Sequence, residues 1–294
     1  MIWGSKMKKT LRFFSLGSAA VLLTACVGGA GDPFEQDPPY PYSESHPNDE
    51  TQNVLGGTAI RSNAATGELQ MVTLTGTKYH DTRATVVSDG SYTLVDDDGF
   101  DRADRISDGH STLSLRPVFQ NYTALRVFDQ AYAVNGVRFD SVGILGVLTR
   151  PADIPTSGSA TYFGRSDVVV VTANEGFSLQ GQSIVDADFS GSGSVNVTMD
   201  RFVASNMRTG LTTDAPFDAI TISDMVMSGN QFSGGTITTL QNSSVIFITG
   251  ANTVASSQGA FFGYDPALRR SDEVGGMVLV QGDDGIVIGN FLAD

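Results

Sequence analysis

What most constrains the fold is a series of short β-branched and aromatic runs, each closed by glycine or a polar turn. From Ala160 onward they read ATYFG, DVVVVTA, GFSLQG, SVNVTM, AITISDMVMSG, QFSGGTITTL, SSVIFITG, GAFFGYD, GGMVLVQ and GIVIGNFLA. Alternation with period two marks half-buried strands, and helical spacing is scarce. VNVTM sets Val195, Val197 and Met199 on one face, with Asn196 and Thr198 opposite. MVLV and IVIG, joined by Gln281-Gly282-Asp283-Asp284-Gly285, read as a closing hairpin. A series of about eight to ten short strands without helices implies a closed antiparallel barrel. Closure removes the edges that so glycine-rich a sheet would otherwise expose. The chain carries 33 glycines in 294 residues, which permit the sharp bends and close strand approach of a small barrel. Phe261 and Phe291 are large enough to fill its interior.

Residues 54–150 carry a separate series: GELQMVTLTG, RATVVSDGSYTLVDDD, HSTLSLRPVF, TALRVF and VRFDSVGILGVL. Asn135-Gly136 between apolar alternations is a strong two-residue hairpin signal. Ala124–Phe128 and Gln130–Val134 alternate as half-buried strands. RPADIPTSGS, beginning at Arg150, is a punctuated link between the two series. The expected fold is all-β: a small β-rich domain over 54–150, then an approximately eight-stranded antiparallel barrel over 151–294.

The amino-terminal text is different. Lys6, Lys8, Lys9 and Arg12 precede an apolar run, Phe13 to Leu23, too short for the roughly 20 residues of a membrane-spanning helix. It reads as an export signal over 1–25, with Met1 or Met7 as its start. The only cysteine, Cys26, ends the phrase Leu23-Thr24-Ala25-Cys26. This phrase resembles the lipobox of bacterial lipoproteins. The resemblance implies acylation of the Cys26 thiol, palmitate included, cleavage before it, and anchoring in the outer membrane. Several acyl chains on one residue give stable anchoring where a single chain is marginal. Once Cys26 is acylated no thiol remains, which excludes a disulfide framework and a thiolate metal site. Residues 26–53, rich in Gly, Pro, Asp and Glu, read as a flexible tether.

Within the barrel half, an ordered set of phrases stands out. They are Gly158-x-Ala160-x-Tyr162-x-Gly164, Asp188-Phe189, Gly229-Asn230-x-Phe232-x-Gly234, Gly259-x-Phe261-x-Gly263, Pro266-Ala267, Glu273-x-Gly275-Gly276 and Gly289-x-Phe291. In order and spacing this set resembles the β-barrel domain of the transferrin-binding protein B-like family of bacterial surface lipoproteins. The resemblance covers roughly 155–294, about half of the chain. It implies a barrel, with a helical turn at Pro266-Ala267-Leu268 before the last strands. It also implies a surface-exposed binding role toward a host or environmental protein, haem or another solute. Tyr264-Asp265-Pro266 and Arg269–Asp272 are longer here than in the family pattern.

A formal net charge of −14 argues against a nucleic-acid partner, because nothing clusters Lys and Arg to displace phosphate counterions. Only His46, His80 and His110 exist, none in a metal-binding spacing. Haem or metal ligation would require the fold to bring His80 and His110 together. Asp96 to Asp104 collects the oxygen ligands calcium prefers, yet lacks the distal Glu of the helix-loop-helix pattern. It reads first as an acidic hairpin tip, and no cofactor is called for. No Gly-x-Ser-x-Gly elbow is present. Arg269 and Arg270 form a basic pair suited either to a partner contact or to offsetting nearby acids. Three readings follow. The first is a lipid-anchored binding protein, the second an outer-membrane assembly protein with no small ligand, and the third a hydrolase.

Overall fold

The computed structural model describes residues 54–78, 85–88, 93–96, 111–116, 125–134, 137–241, 244–246, 254–264, 271–283 and 285–294. The first sheet contains β1 (Val54–Asn63), β2 (Leu69–Lys78), β3 (Thr85–Ser88), β4 (Thr93–Asp96), β5 (Ser111–Arg116), β6 (Leu125–Val134) and β7 (Val137–Val147). A 3-10 turn at Pro151–Asp153 leads to the second. That sheet contains β8 (Ser159–Thr172), β9 (Gly176–Asp188), β10 (Ser194–Asn206), β11 (Thr212–Thr213), β12 (Ala219–Ser228) and β13 (Gln231–Ser233). It continues through β14 (Thr236–Gln241), β15 (Ser244–Ile246), β16 (Val254–Phe262), β17 (Glu273–Gly282) and β18 (Gly285–Ala293). All pairings are antiparallel.

The second sheet closes. From β10 it runs through β9, β8, β18, β17, β16, β13 and β12, and β12 pairs back onto β10. Eight strands make a barrel whose interior side chains can just fill. The alternation read from the sequence sets the inward face, with Val195, Val197 and Met199 all buried. Two bulges shift that alternation by one residue. In β10 the inward set passes from Met199 to Phe202 and Ala204 across Arg201, whose φ is 53°. In β12 it passes from Ile222 to Met225 across Asp224, at φ 60° and held by its backbone N–H to Asn196 Oδ1 at 2.9 Å.

The first sheet, in the order β4-β3-β2-β1-β7-β6-β5, lies on the outer wall of β16, β17 and β18. β17 and β18 are therefore buried on both faces. Val274, Val278, Val287 and Phe291 point into the barrel, while Met277, Leu279, Ile286 and Leu292 point out against Ile60, Ile144 and Leu148. This double burial explains why EVGGMVLVQG and GIVIGNFLA read as continuous apolar runs rather than alternating ones. Polar contacts frame the junction: Thr58 Oγ1 donates to Gln258 Oε1 at 3.3 Å, and Gln258 Nε2 donates to Thr73 Oγ1 at 2.6 Å. The link near residue 150 is part of the structure too. Leu148 bridges Phe262, the Thr149 N–H donates to Phe261 O, and Asn230 Nδ2 donates to Thr149 O at 2.6 Å.

Two expectations change in detail. The described residues of Ala124–Phe128 and Gln130–Val134 belong to one strand, β6 (Leu125–Val134), paired along its length with β7, with Val134 opposite Val137. QFSGGTITTL divides at Gly234-Gly235 into β13, which pairs with both β12 and β16, and β14, which pairs with β12 and β15. The signal, Cys26, the tether, the Asp97–Asp104 run, His46, His80, His110, Pro266, Ala267, Arg269 and Arg270 lie outside the described residues.

Candidate functional site

The barrel interior is occupied by side chains. Phe261 stands at the centre, with ring centroids of Phe232, Phe189 and Tyr162 at 5.2, 5.8 and 6.3 Å. Phe291 stacks near Phe232 at 6.4 Å, and Phe202 meets Phe217 edge-on at 5.6 Å. Gly259 and Gly276 make room for these rings: a Cβ on Gly259 would sit 2.4 Å from Phe232, and one on Gly276 would sit 2.3 Å from Phe291. At Gly164, Ser183 Oγ reaches past the position without a side chain to donate to Leu292 O at 2.6 Å, one strand further round. Gly164, Gly259 and Gly276 thus lie where an aromatic ring or a cross-strand hydroxyl occupies the space a side chain would need.

Most of the remaining motif residues lie toward one end of the barrel, the closed end. Tyr162 Oη and the buried Ser271 Oγ are 2.7 Å apart, and Glu273 is fully buried beside them in sequence. Gly158, Gly229 and Gly263 take the left-handed backbone that turns at this end require. Asp188 closes β9, and Phe189 folds inward under Phe261. Asp188 accepts the Ser190 N–H, which holds its carboxyl below the ordinary range. Ala160 packs at the margin of the core, and Gly275 passes beneath Ile144 of the first sheet. Gly234 and Gly289 serve the strand break and the β18 wall. These residues build the fold, and none of them forms a reactive constellation. Among the described residues no group of three or more His, Cys, Asp or Glu gathers to hold a metal ion.

The opposite end differs in chemistry, and sequence reasoning did not single it out. It carries the turns between β8 and β9, β10 and β11, and β17 and β18. Val171, Met207 and Leu211 are exposed there. Their backbones are linked at this end: Val171 pairs with Gly176, over which the Met207 side chain lies, the Met207 N–H donates to Gly176 O, and Leu211 O accepts from Asn206 on the other side of the same turn. Glu175, Asp214 and Asp283 are exposed in or next to these turns, as is Arg208. The signal available in the sequence was Met207-Arg208 followed by Leu211 in a turn, where polar residues are the rule.

That turn has a defined build. In Asn206-Met-Arg-Thr-Gly-Leu211, Asn206 Oδ1 accepts the N–H groups of Arg208 and Thr209 at 3.0 and 3.2 Å, and Thr209 Oγ1 accepts from Leu211 N. Gly210, at φ 70°, donates to Asn206 O. Asn63-Ala-Ala-Thr-Gly-Glu68, between β1 and β2, repeats every one of these bonds, with Gly67 at φ 72°. Both are turns in which Asn mimics the backbone and Gly supplies the left-handed residue.

Elsewhere on the wall, Asp167 is paired across strands with Gln180 and Asn290. Burial pushes its carboxyl above the ordinary range, against the opposing pull of the Arg165 charge and a hydrogen bond from Gln180. Asn290 Oδ1 is buried without a partner. Phe163, Val203, Val226 and Val254 are also exposed on the barrel. Arg138 is held above its usual value by its hydrogen bonds to, and the charge of, Asp140 at 2.7 Å.

No protein-family model and no curated protein matches the chain. Its strand arrangement is similar to solved structures. Transferrin-binding protein B from Haemophilus parasuis Hp5, the Trp-176-Ala mutant, aligns over 82% of this chain and 45% of that one, at 16% identity and TM-score 0.48. Transferrin-binding protein B from serogroup B Neisseria meningitidis aligns over 82% and 43%, at 17% and 0.47. The haemoglobin receptor HpuA from Kingella denitrificans aligns over 83% and 91%, at 14% and 0.37. The chain spans less than half the length of the transferrin-binding protein B structures it matches. At these identities and scores the likeness is one of strand arrangement, and the functional reading rests on this chain's own residues.

Proposed function

We propose that the chain is a lipid-anchored binding protein of the outer envelope that engages a protein partner through its outer surfaces. The observation that carries this is the filled barrel: a core of aromatic and aliphatic side chains occupies the interior, so a ligand is met from outside. The interior also disfavours haem or another solute held inside the barrel. A large exposed apolar group among turns is the usual mark of a protein contact.

The placement of the chain supports the same reading. β1 begins at Val54, next to Leu55, which pairs with Val147 close to the Leu148–Phe262 bridge at the closed end. A chain anchored at Cys26 therefore enters at that end. The turns carrying Met207 and Leu211 lie at the other end, away from where the chain enters the fold. Intact cells expressing the chain should capture a partner that a soluble form, residues 27–294, displaces. Capture that the soluble chain leaves unchanged would refute the binding reading, and equal processing of a Cys26→Ser precursor would refute the anchor.

A further inference from the structure

From the arrangement at the anchor-distal end we infer that the β10–β11 turn and its neighbours form a docking site for a basic protein segment carrying apolar side chains. This rests on the binding reading above and names the surface and the chemistry of its occupant.

Three observations carry it. First, apolar side chains are exposed in and next to the turns of one barrel end: Leu211 is 69% exposed, Val171 39% and Met207 37%, while Phe163 and Val226 are exposed elsewhere on the barrel. A hydrophobe at such exposure contributes nothing to the fold, and a cluster of them marks a contact surface. Second, the rim is acidic. Glu175 sits one residue from Gly176, which binds the Met207 N–H, and Asp283 lies in the Gly282–Gly285 turn, where Gly285 pairs with Thr172. Asp214 follows β11 directly. An apolar centre ringed by carboxylates complements a partner with the reverse arrangement of charge. Third, the turn is ordered before binding. Its side-chain and backbone bonds are those of the Asn63–Glu68 turn, which holds the same shape with Ala64 and Ala65 at its tip. Asn206, Thr209 and Gly210 set the shape through their side-chain and backbone bonds, so the Arg208 and Leu211 side chains are not needed to hold it, and Met207 contributes its N–H to Gly176 O. A pre-ordered turn loses less entropy on docking.

Arg208 makes the inference decisive. It is the cation within this acidic rim, so a basic partner meets it as a like charge, whereas an acidic partner would use it as an anchor. The two alternatives predict opposite signs for one substitution.

The test uses the soluble full chain, residues 27–294, and a displayed library of random peptides. Selection should enrich sequences combining Lys or Arg with Leu, Phe or Trp. Met207→Ala with Leu211→Asn keeps the Asn-x-x-Thr-Gly frame and should weaken the enriched peptides about tenfold. Arg208→Glu should strengthen them about threefold in low salt, and the gain should shrink as salt is added. Ala65→Asn in the twin turn should change nothing, and unchanged thermal unfolding of each variant confirms that the fold is intact. Acidic winners, weaker binding by Arg208→Glu, or equal retention by the Met207/Leu211 variant would each overturn the inference. So would a selection that enriches nothing on the wild-type chain over that variant. The intact-cell capture is a separate measurement, so its failure and the failure of this site are told apart.

Discussion

Gly276→Ala separates two effects of opposite sign. Gly276 lies within β17 opposite Phe291, and its φ is not in the left-handed region. Strand propensity alone favours the replacement, because glycine within a strand is worse than alanine by about 0.5–1 kcal/mol. Packing opposes it. The added Cβ would fall 2.3 Å from Phe291 Cζ and 2.6 Å from the Gln258 carbonyl oxygen. The ring can tilt, but the oxygen belongs to the β16 ladder, and Phe291 is itself confined by Phe232. Overpacking of this kind costs about 1–3 kcal/mol, so the net effect after the propensity gain is destabilising by about 1 kcal/mol. Urea unfolding of residues 27–294 should show a lower midpoint at unchanged slope. In a Phe291→Ala background, itself weaker by about 3–5 kcal/mol, the same substitution should cost much less, leaving a coupling of about 1 kcal/mol or more. Gly276→Ala as stable as the parent, or equally costly in both backgrounds, would refute the reasoning that the ring requires the glycine.

Other consequences follow from single contacts. Tyr162→Phe removes the buried bond to Ser271 Oγ and should cost about 1–3 kcal/mol in the same assay, while Thr161→Val, on the exposed face, should cost less. Asp167 has its folded pKa raised by burial, so the folded state holds the proton more tightly than the unfolded one. Its contribution to stability therefore grows as pH falls through the raised value and is lost as pH rises past it. Asp167→Asn should raise the unfolding midpoint at neutral pH and flatten that part of the profile. Asp188 is shifted the other way by Ser190; its contribution is present above the ordinary carboxylate range and is lost as pH falls through the lowered value. Asp188→Asn should remove that acid-side loss, as seen in unfolding midpoints from neutral to acid pH. Cells fed labelled palmitate should mark the wild-type chain and leave Cys26→Ser unmarked.

Much of the fold was legible because the barrel obeys a period of two. Val195, Val197 and Met199 could be placed on one face before any coordinates, and the β17–β18 hairpin stood out by its Gly-Asp-Asp-Gly connection. The bulges were legible in retrospect: in AITISDMVMSG the apolar set moves from Ile220 and Ile222 to Met225 and Met227, a parity switch that needs one extra residue. The packing of the first sheet on β16–β18 was harder to see. Continuous apolar runs such as MVLV state that both faces are buried but not what covers them. The exposed end was the least legible part. The Asn-x-x-Thr-Gly frame is visible twice, yet only the folded chain shows that Met207 lies over Gly176, the partner of Val171 at the end of β8, and that the turns of Glu175 and Asp283 adjoin them. Motif residues such as Gly259 and Gly276 point to the fold because they are dictated by the rings they admit. Ligand contacts have no such internal constraint.

The central claim is that the anchor-distal turns, and not the barrel interior or the closed end, meet the partner. Hydrogen exchange on the soluble chain, with and without the partner captured from intact cells, tests it most directly. Slower exchange confined to the Asn174–Glu175 and Met207–Leu211 turns is the predicted result. Protection instead at Ser190–Gly193 and Gly229–Asn230, at the closed end, would contradict it.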